Sequence, residues 1–229
     1  MSTSVVILCG MPSEKAILTA AYPNNLVLSG TDKLNLASLV PKTCPRIVSM
    51  GLAGGLAPPL KVADIVLANS VTDGRGGVCT CDPKWNAAIM DIDIKQLPPS
   101  WADLRFRGCE WLSNGMMDLA DTATQRADLY KMTGACAIDD ESYYAAVFCQ
   151  QHGIMFNIAR SISDDWTDTL PLAARGKIMN PDGSANVAYL FQSLATEPWA
   201  QDLDLLTQVL PNYEASLASL QAFVQGVIL

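Results

Sequence analysis

Histidine is almost absent from this chain, with His152 the only one in 229 residues. A single imidazole argues against a Ser-His-Asp or Cys-His hydrolase. His152 stands in Gln150-Gln151-His152-Gly153, which reads as an exposed loop histidine in a turn between a helix and a strand. Metal ligands are also scarce. Cys79-Thr80-Cys81 is a lone C-x-C pair without a second pair at zinc-finger spacing, and structural zinc takes four N or S ligands, so no metal site is expected. Basic residues are in deficit: 15 Lys and Arg against 23 Asp and Glu give a net charge of −8, which speaks against nucleic-acid binding. No apolar run approaches the roughly 20 residues of a membrane-spanning helix. No basic residue precedes the short run Val5-Val6-Ile7-Leu8, as a signal peptide would require. A cytoplasmic protein is the expectation. Its seven cysteines, an odd number, then read as free thiols.

What is present is an apolar, weakly charged chain: 50% hydrophobic residues and 17% charged ones describe a packed core. With no repeat, low-complexity tract or linker, residues 1–229 read as a single domain. Short β-branched runs mark strands at Val5–Leu8, Leu26–Gly30, Arg46–Met50, Asp64–Ala68 and Ile154–Arg160, with further candidates at Leu104–Gly108 and Ala135–Ile138. Helical patterns follow several of them. One runs from Pro12 to Tyr22 with Ser13 as N-cap, and one from about Lys33 to Val40 capped by Thr31. A third, Glu141–Gln151, ends at Gly153. Asn186–Leu194 and Trp199–Val227 close the chain, the latter interrupted at Pro211. Its Leu217, Leu220, Phe223 and Val224 suit packing on a sheet. Strands alternating with helices predict an α/β fold, three-layered as α/β/α around a mixed central sheet.

In such sheets ligands bind beyond the carboxyl ends of strands. Four strand ends here carry unusual residues: Gly10-Met11-Pro12-Ser13-Glu14, Gly51-Leu52-Ala53-Gly54-Gly55, Asp139-Asp140-Glu141-Ser142 and Arg160-Ser161-Ile162-Ser163-Asp164-Asp165. Three of them bring carboxylates to one rim, and grouped carboxylates can supply both a general acid and a general base. Each signal is weak alone. The glycine-rich segment fits neither the dinucleotide fingerprint nor the P-loop, and reads as a tight strand-to-helix turn. Asp139-Asp140-Glu141 could merely complement a helix dipole. Cys9-Gly10-Met11-Pro12 lacks the Gly-x-Gly-x-x-Gly of a Rossmann oxidoreductase.

Taken in order, Gly-x-x-x-Glu, Gly-x-Ala-Gly-Gly-Leu with Lys-Val-x-Asp-Ile-Val, Asp-x-Glu-Ser and Arg-x-Ile-Ser-Asp resemble the nucleoside phosphorylase and nucleosidase superfamily. That group includes purine nucleoside and uridine phosphorylases and methylthioadenosine/S-adenosylhomocysteine nucleosidases. Thr80-Cys81-Asp82-Pro83-Lys84-Trp85, the Asp139–Ser142 and Arg160–Asp164 segments, and Pro181-Asp182-Gly183 look closest to its hopanoid-biosynthesis-associated phosphorylase branch.

The resemblance implies cleavage of the N-ribosidic bond of an adenosine-type purine nucleoside. It makes Asp164 the acid that protonates purine N7, with Ser163 orienting it. Glu141 matches the carboxylate that grips the ribose hydroxyls, and Glu14 the base for attacking water. Arg160 matches the basic residue near the nucleophile. Gly10, Asp140, Leu52, Ala53 and Gly54 complete the implied binding set. Two departures stand out. Leu52 occupies a place where many relatives carry Ser or Thr for phosphate or water, which favours hydrolysis over phosphorolysis. Asp140 replaces a Met usually under the sugar, so either the substrate presents a donor or Asp140 turns away. No cofactor is implied, with inorganic phosphate as the alternative co-substrate. The partner is a small-molecule nucleoside, and relatives imply a homodimer or larger homo-oligomer. Leu52 and Asp140 would also suit a non-catalytic nucleoside-binding module. If the 5′ group is a lipid, Trp101, Trp111, Met116, Met117, Tyr143 and Tyr144 could line an apolar groove, although most suit ordinary core positions.

Overall fold

A computed structural model describes residues 5–90, 106–113, 120–171, 187–188, 205–227 and 229. Eight strands form one mixed sheet: β1 (Val6–Cys9), β2 (Leu26–Ser29), β3 (Arg46–Gly55), β4 (Ile65–Thr72), β5 (Val78–Thr80), β6 (Phe106–Ser113), β7 (Ala137–Asp139) and β8 (Met155–Asp164). β1, between β2 and β3, pairs parallel with both, and β3 pairs parallel with β8. β3 also runs antiparallel to β7, β7 parallel to β6, β6 parallel to β4, and β4 antiparallel to β8. The sheet therefore closes on itself through β3, β7, β6, β4 and β8.

Helices cover both faces, in agreement with the mixed α/β expectation. They are α1 (Pro12–Ala21), α2 (Leu36–Leu39), α3 (Pro83–Met90), α4 (Ala123–Thr133), α5 (Ser142–His152) and α6 (Leu210–Gly226). The period-2 geometry of β1 sorts its side chains between them. Val6 and Leu8 join Leu36 of α2 and Ala145, Ala146 and Cys149 of α5 in one core cluster. Ile7 and Cys9 join Leu18 of α1 and Leu220, Phe223 and Val224 of α6 in the other. Burying a ring such as Phe223 contributes about 1.5–3 kcal/mol. The last helix thus packs on the sheet as its spacing implied.

Several expectations are corrected. Gly51–Gly55 is not a turn into a helix. It is the second half of β3, hydrogen-bonded to β8 on one side and β7 on the other. Likewise β8 runs on through Asp164 instead of ending at Arg160. The N-cap of α1 is Met11, not Ser13: Pro12 starts the helix and Glu14, at the third helical position, reaches back to the Met11 N–H. Thr31 caps nothing. Ser29 caps a 3-10 segment, Gly30–Asn35, and its N–H donates to Asp32 at 2.9 Å before α2 begins. At Pro211 the closing helix changes type and does not break: a π-helical segment, Leu205–Val209, runs directly into α6, whose first turn holds Pro211. His152 is the last residue of α5, stacked on Phe148, with Gly153 as its left-handed C-cap. Strands β5 and helices α3 and α4 were not anticipated. The strand expected at Leu104–Gly108 is β6, shifted to Phe106–Ser113. Most of Asn186–Leu194, and Trp101, Met116 and Met117, lie outside the described residues.

Cys9, Cys44, Cys79, Cys81 and Cys149 are buried and outside any disulfide, but Cys136 is disulfide-bonded, so the expectation of thiols throughout does not hold. Among the described residues no helix is long and apolar enough to cross a membrane.

Candidate active site

The glycine-rich half of β3 is the floor on which the charged residues meet. Its register with β8 places Arg160 beside Gly51 and Asp164 beside Gly54. At 3.3 Å per residue the two glycines lie about 10 Å apart. Each has a carboxylate against the face a side chain would fill. A Cβ on Gly51 would lie 2.6 Å from Glu14 Oε2, and one on Gly54 3.0 Å from Asp164 Oδ2. The strand therefore needs bare glycine at both places for two carboxylates to approach its backbone.

Glu14 is 1% exposed yet fully hydrogen-bonded. Gly10 N–H and Met11 N–H donate to Oε2 at 2.7 and 3.0 Å, and Leu52 N–H donates to Oε1 at 2.8 Å. Burial pushes its pKa up; Arg160 opposes the shift and Glu141 adds to it. Gly51→Ala should displace this carboxylate by about 1 Å and lower turnover roughly 10²-fold. Wild-type kcat in that variant, measured beside its thermal midpoint, would remove the carboxylate from the reaction.

Arg160 is the hub beneath. It is 1% exposed. Its Nε lies 2.8 Å from Asp139 Oδ2 as an ion pair that lacks hydrogen-bond alignment, and its Nη2 lies 3.1 Å from Glu141 Oε2. Nη1 donates to Leu52 O and Nη2 to Ser49 Oγ, both at 2.8 Å. Burial alone would push this guanidinium pKa down, but Asp139, Glu141 and Glu14 outweigh it and push it up. Asp139 also accepts from the Ser142 N–H, 3.0 Å, and from the Ser142 hydroxyl.

Glu141 precedes α5 and is 8% exposed. Its Oε1 lies 3.6 Å from Lys33 Nζ and 3.3 Å from the Cβ position of Gly10. Lys33 also donates to the Asp140 backbone carbonyl at 3.1 Å, which ties this cation to the segment just ahead of α5. Leu52 and Ala53 serve through their backbones, with their side chains in the core. The Ala53 carbonyl accepts from Ser163 Oγ at 3.2 Å. Ser163 Oγ also donates to Asp164 Oδ1 at 2.6 Å, and Arg126 of α4 forms an ion pair with Oδ2.

Sequence reasoning did not assign Arg126, Lys33, Asp139, Ser49 or Ser142. Asp139 and Ser142 lie inside the quoted Asp-x-Glu-Ser motif, which was the available signal for them. Arg126 and Lys33 come from helical segments with no motif. Of the residues considered for an apolar groove, Trp111 is buried in the core. Tyr143 and Tyr144 line a cavity of about 290 Å³ together with Val147 and the charged Asp73 and Arg75.

The phosphorylase superfamily profile matches residues 5–180, which covers β1 through β8 and every site residue above. The chain belongs to that superfamily. No curated relative matches it in sequence. Its fold is that of a Helicobacter pylori 5′-methylthioadenosine/S-adenosylhomocysteine nucleosidase mutant holding 5′-methylthioadenosine, at TM-score 0.64 and 15% identity over 99% of this chain and 100% of that one. A Colwellia psychrerythraea nucleosidase of the same type in complex with adenine superposes at TM-score 0.63 and 16% identity, over 100% and 98%. The futalosine hydrolase of Helicobacter pylori follows at 0.62 and 14%, over 98% and 99%. At these identities the likeness is one of fold.

Proposed function

We propose that this member of the phosphorylase superfamily cleaves the N-ribosidic bond of a purine nucleoside by hydrolysis. The observation that carries the choice of water over phosphate is the setting of Glu14. Three backbone N–H groups converge, two from Gly10 and Met11 just after β1 and one from Leu52 within β3, and convergent N–H groups are what an anion would use. Here the protein's own carboxylate takes all three. The nearby cations, Arg160 and Lys33, are paired with carboxylates. A phosphate dianion entering there meets repulsion from Glu14 and Glu141, and the two cations that contact these carboxylates among the described residues are already paired.

The chemistry follows. Electrons of the C1′–N9 bond pass to the purine while Asp164 gives its proton to N7. Water attacks C1′ and its proton passes to Glu14. Glu141, close to the sugar, favours the cationic character that develops there. Free base and free sugar result. MTA/SAH nucleosidases of the same fold bind adenine and 5′-methylthioadenosine, which supports an adenosine-type base. A hopanoid-linked 5′ group is the version implied by the branch resemblance. Cytoplasmic location, assembly as a homodimer or larger oligomer and the absence of a cofactor belong to the same proposal, the last two resting on that resemblance.

The test is a panel of adenosine, 5′-methylthioadenosine and adenosines with long apolar 5′ groups, assayed with and without phosphate. Free sugar forming without phosphate, at a rate phosphate does not raise, is expected. A sugar 1-phosphate formed only with phosphate overturns hydrolysis.

A further inference from the structure

Arg126 has no part in the motifs, yet it is among the most completely buried charges in the protein, at 1% exposure. It projects from α4, outside the strand ends that carry the other site residues. Its Nη1 pairs with Asp164 Oδ2 and also donates to Gly55 O at 3.1 Å, and at longer range to the carbonyls of Asp164 and Asp165 at 3.5 and 3.4 Å. Its Nε is buried without a hydrogen-bond partner. A buried cation with an orphaned donor is costly unless its charge is matched, and Asp164 is the carboxylate that matches it. Asp164 is thereby held on both oxygens, by Ser163 from one side and Arg126 from the other. Its side chain is 18% exposed, so it meets the site while Arg126 stays behind it.

We propose that Arg126 is a positioning residue for base departure: it fixes the Asp164 carboxyl and stabilises the negative charge that Asp164 acquires as its proton moves to the leaving purine. This rests on the reading of Asp164 as the acid. Asp164, whose side chain is 18% exposed, takes a proton from solvent as the nucleoside binds; as the C1′–N9 bond breaks that proton passes to N7, and the carboxylate forms again against a fixed guanidinium. That attraction is stronger after proton transfer than before it, so it acts on the transition state more than on bound substrate. The effect belongs to kcat and not to KM. It also belongs only to leaving groups that need a proton. A 4-nitrophenyl riboside departs as a stable anion and does not call on Asp164.

Arg126→Met is therefore expected to lower kcat on adenosine or 5′-methylthioadenosine by about 10²-fold, the scale of losing one fixed donor at a developing charge. KM should change by less than about threefold, and turnover of 4-nitrophenyl β-riboside should stay within the same margin. Arg126→Lys, which keeps a charge but not the planar fork, should recover part of the loss. Should Arg126→Met fail to fold, Arg126→Lys alone decides, since it must slow purine release and spare the activated riboside. Equal losses on both leaving groups, a loss confined to KM, or unchanged purine release overturn the proposal. Asp164→Asn is run alongside. If it too leaves purine release unchanged, the acid assignment itself fails; if it abolishes release while Arg126 variants do not, only the role of Arg126 falls.

Discussion

Glu14→Gln is expected to reduce nucleoside hydrolysis by about 10²–10⁴-fold, the usual contribution of a positioned general base. Two effects act together. An amide cannot take the proton of the attacking water. It also presents an NH2 where the carboxylate accepts N–H groups on both oxygens, from Gly10 and Met11 on one and Leu52 on the other, so at least one buried backbone donor loses its partner. Because the base serves water and not the leaving group, the loss should be as large on 4-nitrophenyl β-riboside as on adenosine, unlike the Arg126 variants. The pH dependence carries the same signature. Burial raises the pKa of Glu14 above the ordinary glutamate value of about 4.3. The base must be ionised, so wild-type kcat should fall as pH drops through that raised value, on an acid limb lying above the normal glutamate range. The limb should vanish in Glu14→Gln. An acid limb retained in the variant, or a loss below about tenfold, would reassign the base.

Arg160→Met should cost about 3–5 kcal/mol of folding stability, the loss typical of removing one partner from a buried charge cluster. Its guanidinium stands between Asp139 and Glu141, within the field of Glu14, and bridges to the Leu52 carbonyl and Ser49 hydroxyl. Glu14, Ser49 and Asp139 cannot reach water in its place, being at most 2% exposed. For a chain of this size the thermal midpoint should drop by about 10 °C or more. The deficit should depend on pH. Arg160 lowers the pKa of Glu14 against burial, so its removal leaves that pKa raised further above its unfolded value. A group raised in this way destabilises the fold as pH climbs through the folded pKa and ceases to do so when protonated. The difference from wild type should therefore narrow towards pH 4–5 and widen towards neutrality. A variant that unfolds with wild type at pH 7 would mean that the cluster carries little structural weight.

The motifs and the fold were legible to different depths. Val5–Leu8 and Leu26–Gly30 are short apolar runs between turn signals that each became a strand within a residue, whereas the run at Asp64–Ala68 became β4, which continues four residues further to Thr72. Gly153 ended α5 where a left-handed cap was needed. The glycine-rich segment was misread because local rules associate Gly with turns. In the structure the missing side chains serve a central strand that two carboxylates approach. No local signal announces that, because the partners, Glu14 and Asp164, are 37 and 110 residues away from Gly51 and Gly54.

The sequence alone determined the order of strand, helix and motif, and with it which carboxylates stand at strand ends, because hydrophobic period, capping chemistry and turn residues act over a few positions. It also placed the chain in its superfamily by motif order. Only the tertiary structure decided what each charge is spent on. Glu14 takes the backbone donors an anion would use, Arg160 is consumed by Asp139 and Glu141, and Arg126 arrives from a helix without a motif to hold Asp164. These assignments depend on the closed pairing of β3 with β7 and β8, which sets residues distant in sequence within hydrogen-bond reach, and charge pairing is settled by distance and burial and not by order along the chain.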